Sequence, residues 1–112
     1  MPDARALYRQ GFQYFADNRI DEAIDCYRRA VAAAPDLAIA WNGLSITLKR
    51  KGDLDGAIEA GLKIIELEPD DPLSHSNLSI LYQAKGLIQQ AEDEKALAMQ
   101  LQLKAERDPK PG

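Results

Sequence analysis

The chain is poor in the side chains that reactive sites and cross-links need. Its one cysteine, Cys26, has no partner for an internal disulfide, so nothing requires an oxidising compartment. Cys26 also lacks a base beside it in the pattern, so it reads as a small core residue rather than a nucleophile. The one histidine, His75, has no second imidazole or thiol near it, which leaves a zinc site without ligands. The glycines stand singly, so no phosphate-cradling loop is present. Basic charge is outnumbered: 14 Lys and Arg face 18 Asp and Glu, for a net charge of −4 and a pI near 4.9. That balance argues against a binder of nucleic-acid phosphates, which needs a basic face, and leaves room only for local basic patches. Apolar runs are short. None approaches the roughly 20 residues that span a bilayer, so no membrane is expected. Met1 to Tyr8 carries an early acid and no apolar stretch, unlike a signal peptide, and the cytoplasm is the default location. Aromatics are only 6% of a 46% hydrophobic composition. A core of Ala, Leu and Ile suits closely packed helices better than stacked sheets.

What the chain has is a period. Ala23, Ala57 and Ala91 stand 34 residues apart, as do Asn18, Gly52 and Gly86, and Pro35 and Pro69. Three kinds of position sharing one interval mean a unit written three times. The units run 4–37, 38–71 and 72–105, giving one domain over 1–106 and a flexible tail over 107–112 that contains two prolines. Each unit reads as two helices. In the first, Leu7, Gly11 and Tyr14 share one face, and Asn18 breaks the helix with a residue that tolerates the left-handed conformation. Asp21 is placed to cap the next helix or stand in its first turn. That helix carries Ala23, Ile24, Tyr27, Ala30 and Val31 inward until Pro35 stops the ladder. In the second unit Trp41, Leu44 and Leu48 face inward. Gly52 takes the turn, Asp55 is placed to cap, and Ala57, Ile58, Ile64 and Ile65 follow. Gly56 and Gly61 interrupt that helix and suggest close packing. Gly61 stands where an aromatic is expected, so a cavity or a neighbour's side chain must take up the space. In the third unit His75 occupies the slot of Trp41, which argues for half-buried packing. Leu78 and Tyr82 share its stripe. The last helix, about 88–106, has no proline to stop it. Its polar set of Gln89, Gln90, Glu92, Asp93, Gln100 and Gln102 reads as the outer face of an end cap.

These residues carry a resemblance. Leu7, Gly11, Tyr14, Ala23, Tyr27, Ala30 and Pro35 in the first unit fit the pattern of the tetratricopeptide repeat. So do Trp41, Leu44, Ser45, Ala57 and Pro69 in the second, and Leu78, Ser79, Tyr82, Ala91 and Ala98 in the third. The departures are Gly61 and Lys95 at the aromatic position, Ile64 at the second alanine and Leu103 for proline. The resemblance implies an all-α, right-handed superhelix of three antiparallel helix pairs. In that family the first helix of each pair lines a concave groove that holds a peptide or a partner helix. One subgroup holds chaperone tails with a carboxylate clamp of Lys, Asn, Asn, Lys and Arg. The corresponding positions here are Tyr8, Phe12, Gly43, Leu73 and Asn77, which supply no cation, so a receptor of that type is not expected.

The period also serves as a ruler. If first helices line the groove, spacings of 3 and 4 place Arg5, Tyr8, Phe12 and Phe15 on its face in the first unit. Ile39, Asn42, Ile46 and Lys49 follow in the second, and Leu73, Ser76, Ile80 and Gln83 in the third, with Asn77 contributing an amide. Across the units Phe12, Ile46 and Ile80 form one row, and Arg5, Ile39 and Leu73 a second. Five of these six are apolar, and exposed apolar patches mark contact surfaces. Arg5, Arg9, Lys49 and Arg50 would add a basic edge. The expectation is a non-catalytic protein-binding scaffold without cofactor or metal, whose largely apolar groove takes a peptide or amphipathic helix. The alternative is a self-associating structural protein, a homodimer through the groove or through the last helix, where Leu97, Leu101 and Lys104 keep a partly covered stripe. Glu66, Glu68, Asp70 and Asp71 straddle a helix end and read as solvated surface rather than acid–base carboxylates.

Overall fold

The computed structural model describes residues 3–108. The first two residues and the part of the expected tail beyond Asp108 lie outside them. Six helices follow one another: α1 (Ala4–Ala16), α2 (Ile20–Ala33), α3 (Ala38–Lys51), α4 (Leu54–Leu67), α5 (Pro72–Lys85) and α6 (Ile88–Arg107). They pack as the antiparallel pairs α1–α2, α3–α4 and α5–α6, with α2 against α3 and α4 against α5 carrying one pair onto the next. This is the all-helical superhelix expected from the period. Among the described residues no helix is long and apolar enough to cross a membrane.

The turn inside each pair is built the same way three times. Asn18 (φ 61°), Gly52 (φ 95°) and Gly86 (φ 86°) take the left-handed conformation, which glycine adopts at no steric cost and asparagine at little. The residue after each donates its N–H back over the helix end: Arg19 to Tyr14 O at 2.8 Å, Asp53 to Leu48 O at 2.9 Å, and Leu87 to Tyr82 O at 2.9 Å. Helix starts are less uniform. Asp3 caps α1 through the Ala6 amide and Asp71 caps α5 through the Leu73 amide. In α4 the cap is Asp53, whose carboxylate accepts from Gly56 N at 2.9 Å, and not Asp55. This also explains Gly56: a Cβ there would lie 2.6 Å from Asp53 Oδ2, so the glycine makes room for the cap rather than for a neighbouring helix. Asp21 stands in the first turn of α2, which has no side-chain cap.

Polar bonds repeat with the period. Ser45 Oγ donates to Ala57 O at 2.9 Å and Ser79 Oγ to Ala91 O at 2.7 Å, both buried. Lys51 pairs with Asp21 and Lys85 with Asp55, each joining the first helix of one unit to the second helix of the unit before. These two pairs are exposed, so they set register more than they add stability. Trp41 Nε1 donates to Pro35 O at 2.7 Å, and in the same slot His75 Nε2 meets Pro69 O at 2.8 Å. On α6 the expected polar residues Gln89, Gln90, Glu92, Asp93, Gln100 and Gln102 are all exposed, and the apolar Ile88, Met99 and Leu103 are exposed with them.

His75 is fully buried at 3% exposure rather than half-buried, and its second nitrogen, Nδ1, lies 2.6 Å from Glu94 Oε2. A carbonyl and a carboxylate both accept, so the two bonds need two N–H groups, which only the imidazolium has. Burial pulls the imidazole pKa down. The Glu94 hydrogen bond, the Pro69 carbonyl and the charges of Glu94 and Asp71 outweigh it, and the pKa is raised. A group with a raised folded-state pKa contributes its full stability below the unfolded value of about 6.5. That contribution fades as pH rises through the folded value. Thermal melting across this range should show wild-type stability falling from near-neutral pH upward, with the slope flattened in His75→Gln. An unchanged slope would remove His75 as its source.

Candidate functional site

The first helices α1, α3 and α5 carry the exposed apolar row. Phe12 is 57% exposed, Ile46 48%, Ile80 50%, Ile39 44% and Leu73 69%. At these values none of the five is buried within the described chain. They do not form one continuous trough, however. A cavity of about 320 Å³ opens between α3 and α5. Ile39, Asn42, Ile46 and Lys49 of α3 line one wall, and Leu73, Asn77 and Ile80 of α5 the other. Seven of the expected site residues therefore meet there. Ser76 and Gln83 stay off the wall, and Asn77 takes the place on α5 that spacing alone gave to Ser76. Glu68 and Asp71 also line the cavity, which the spacing argument missed because they sit at a helix end and in a linker.

The α1 residues lie elsewhere. Tyr8 is half-buried against Tyr27, ring centroids 5.8 Å apart, and Phe15 is half-buried beneath the Arg50 guanidinium at 5.5 Å. Arg5 and Arg9 border a separate surface hollow with Asp3, Asp36 and Leu37. Phe12 is exposed but does not line the cavity. Of the four cations expected along one edge, only Lys49 lines it, and Arg50 is drawn to Phe15 and to Asn18 Oδ1 at 3.2 Å.

Between α1 and α3 the corresponding space holds a side chain. Tyr27, 2% exposed, reaches from α2 into the space between the first two first-helices. A Cβ on Gly11 would lie 2.9 Å from its ring, and one on Gly43 2.7 Å, so the ring rests directly on two backbones. Burial, then the neighbouring Tyr8 and Cys26, push its phenol pKa up to about 12, so the ring stays neutral. One unit later the same position is Gly61, and no ring stands there. A Cβ there would meet only Leu78 Cδ1 at 3.5 Å and Leu81 Cδ1 at 3.6 Å, ordinary van der Waals distances. Both alternatives read from the sequence apply: neighbouring leucines lean in, and a cavity remains. Ser45 and Asn77, the counterparts of Gly11 and Gly43, stand on its walls. Cys26 is buried, and burial, with Asp25 beside it, raises its thiol pKa, consistent with a core residue.

The tetratricopeptide repeat pattern matches residues 8–72, more than half the chain, and the chain belongs to that family. As a member it is a protein–protein interaction module. It is 31% identical over 78 residues to the peroxisomal targeting signal receptor of Candida albicans, covering 70% of this chain and 13% of the receptor. It is 29% identical over 91 residues to the receptor of the same name from Eremothecium gossypii, covering 81% and 16%. The chain thus spans less than a fifth of the length of these relatives. Among solved structures it matches MamA with a TM-score of 0.89 at 28% identity, covering 94% of this chain and 61% of that one. It matches the first such domain of Spaghetti (RPAP3), solved bound to the HSP90 peptide SRMEEVD, with a TM-score of 0.82 at 21% identity, covering 88% and 79%. At that identity the second likeness is one of fold.

The Tyr27 contact makes a sharp test of the packing. Gly43→Ala should lose about 1–3 kcal/mol in urea unfolding through overpacking against the ring. In a Tyr27→Leu background most of that loss should vanish, giving a coupling of about 1 kcal/mol or more. Additive losses would mean that the ring does not bear on Gly43.

Proposed function

We propose that the chain is a non-catalytic scaffold that binds a peptide or an amphipathic helix in the α3–α5 part of its concave face. The observation that carries this is the exposed set Ile39, Ile46, Leu73 and Ile80 bordering one cavity. Burying one such side chain contributes about 1.5–3 kcal/mol, and micromolar affinity needs about 8 kcal/mol, so a few suffice once association costs are met. Lys49 lies on one wall, while Glu68 and Asp71 supply acid elsewhere in the lining, which favours a partner of mixed charge over a strongly acidic tail. The clamp positions Tyr8, Phe12, Gly43, Leu73 and Asn77 carry no cation, so the HSP90 peptide of the Spaghetti complex is not the ligand class proposed here.

The second reading, self-association, is favoured by α6. Ile88 and Met99 stand one unit after Leu54 and Ile65, which are half-buried, yet both are exposed.

Peptides selected from a random library displayed on phage provide the test. Ile46→Glu and Ile80→Glu should each leave the melting temperature unchanged and weaken binding roughly tenfold or more. Phe12→Glu, off the cavity, should weaken it less. Equal loss in all three would place the contact along the full row instead. Light scattering over a concentration series should hold at the 12.4 kDa of one chain, and a rise toward twice that mass selects the homodimer.

A further inference from the structure

The repeat supplies its own template for what the cavity takes. In the first unit the space between successive first helices is filled by an aromatic ring that belongs to the protein, Tyr27. In the second unit the same space is walled by Ser45 and Asn77 and backed by Gly61; Leu78 and Leu81 lean to 3.5 and 3.6 Å of where a Gly61 Cβ would lie, and beside them a cavity of about 320 Å³ remains. We infer that the partner restores the missing group: it inserts one aromatic side chain against Gly61, in the place that Tyr27 occupies 34 residues earlier. This rests on the groove reading above and adds to it the chemistry of the anchor.

Size, lining and polarity agree. An apolar cavity of about 150 Å³ is enough to hold benzene, and this one is about 320 Å³, so a ring enters with room for the atoms that attach it to a backbone. Its inner side is mostly apolar: Ile64, Leu78 and Leu81 are 8%, 0% and 4% exposed and line it, and the buried hydroxyls of Ser45 and Ser74 beside them donate to Ala57 O and Asp71 Oδ2. At its rim the Asn42 and Asn77 amides make no hydrogen bond to the described protein, and are free to meet a phenol hydroxyl, an indole N–H or the peptide backbone beside the ring. The third unit offers no second such place. It carries Lys95 at this position, and no described helix follows α6 to form the other wall.

The probe is p-cresol, the tyrosine side chain without its backbone, with isobutanol as the aliphatic control. Methyl NMR on the full chain should show saturable p-cresol shifts centred on Ile64, Leu78 and Leu81, with roughly tenfold weaker binding of isobutanol. Gly61→Ala should keep the shifts, since a methyl fits there, and Gly61→Leu should abolish them by filling the space from within. The leucine's outer carbons must displace Leu78 and Leu81 or enter the cavity, so its melt is recorded beside that of Gly61→Ala; if Gly61→Leu fails to fold, the wild-type titration alone decides. Shifts centred elsewhere, or isobutanol binding as well as p-cresol, would overturn the inference. Library peptides that bind without Phe, Tyr or Trp, and bind Gly61→Leu equally well, overturn the aromatic anchor and leave the groove reading standing. A library that yields no groove-binding peptide overturns both.

Discussion

Each helix pair is held at a crossing where an alanine meets a small residue, and the rest of the structure depends on that approach. Ala23, Ala57 and Ala91 are 0–3% exposed. Opposite Ala57 and Ala91 stand Ser45 and Ser79, and the same repeat position in the first pair is Gly11. With no bulk at the crossing, two backbones come close enough for a serine hydroxyl to donate directly to the alanine carbonyl, as Ser45 and Ser79 do. The bond fixes both the distance and the axial register of the pair. It also answers the buried hydroxyl's own need for a partner, which would otherwise count against burying it. A larger residue at either position would separate the helices and lose the bond together with the packing around it.

Once pairs are fixed in this way, stacking follows from the side chains that bridge units. Tyr27 does so from within the core, and the Lys51–Asp21 and Lys85–Asp55 pairs do so at the surface. The first helices are left with one face on their partners and one face outward. That outward face is apolar at Ile39, Ile46, Leu73 and Ile80. Exposed isoleucine and leucine on this face add little to folding stability, and that is the ground of the binding proposal. Between α1 and α3 the inter-unit space holds the Tyr27 ring, and between α3 and α5, where Gly61 stands in its place, a cavity opens beside Leu78 and Leu81.

Much of this was legible in the chain because the repeat makes every position a replicate. Helix boundaries, left-handed turn residues and inward stripes recur, so chance matches cancel. Local competition was not legible. Asp53 and Asp55 are both suitable caps by spacing, and only backbone geometry shows that Asp53 reaches the free amide while Asp55 turns to Lys85. His75 reads as a packing residue until its two acceptors, Pro69 O and Glu94, are seen to converge on it. Glu94 is 19 residues away on another helix, and no spacing rule connects them.

Period, composition and the placement of Gly, Asn and Pro determined by themselves that this chain is six helices in three stacked pairs, because those features act through the local backbone and through faces of single helices. Which groove positions share a cavity was decided only in three dimensions. Tyr8 and Phe15 occupy the same repeat positions as Asn42 and Lys49, yet the first two sink onto Tyr27 and beneath Arg50 while the others border open space. The difference comes from one ring on a neighbouring helix, present at Tyr27 and absent at Gly61, and volume between helices is not a property that any one helix encodes.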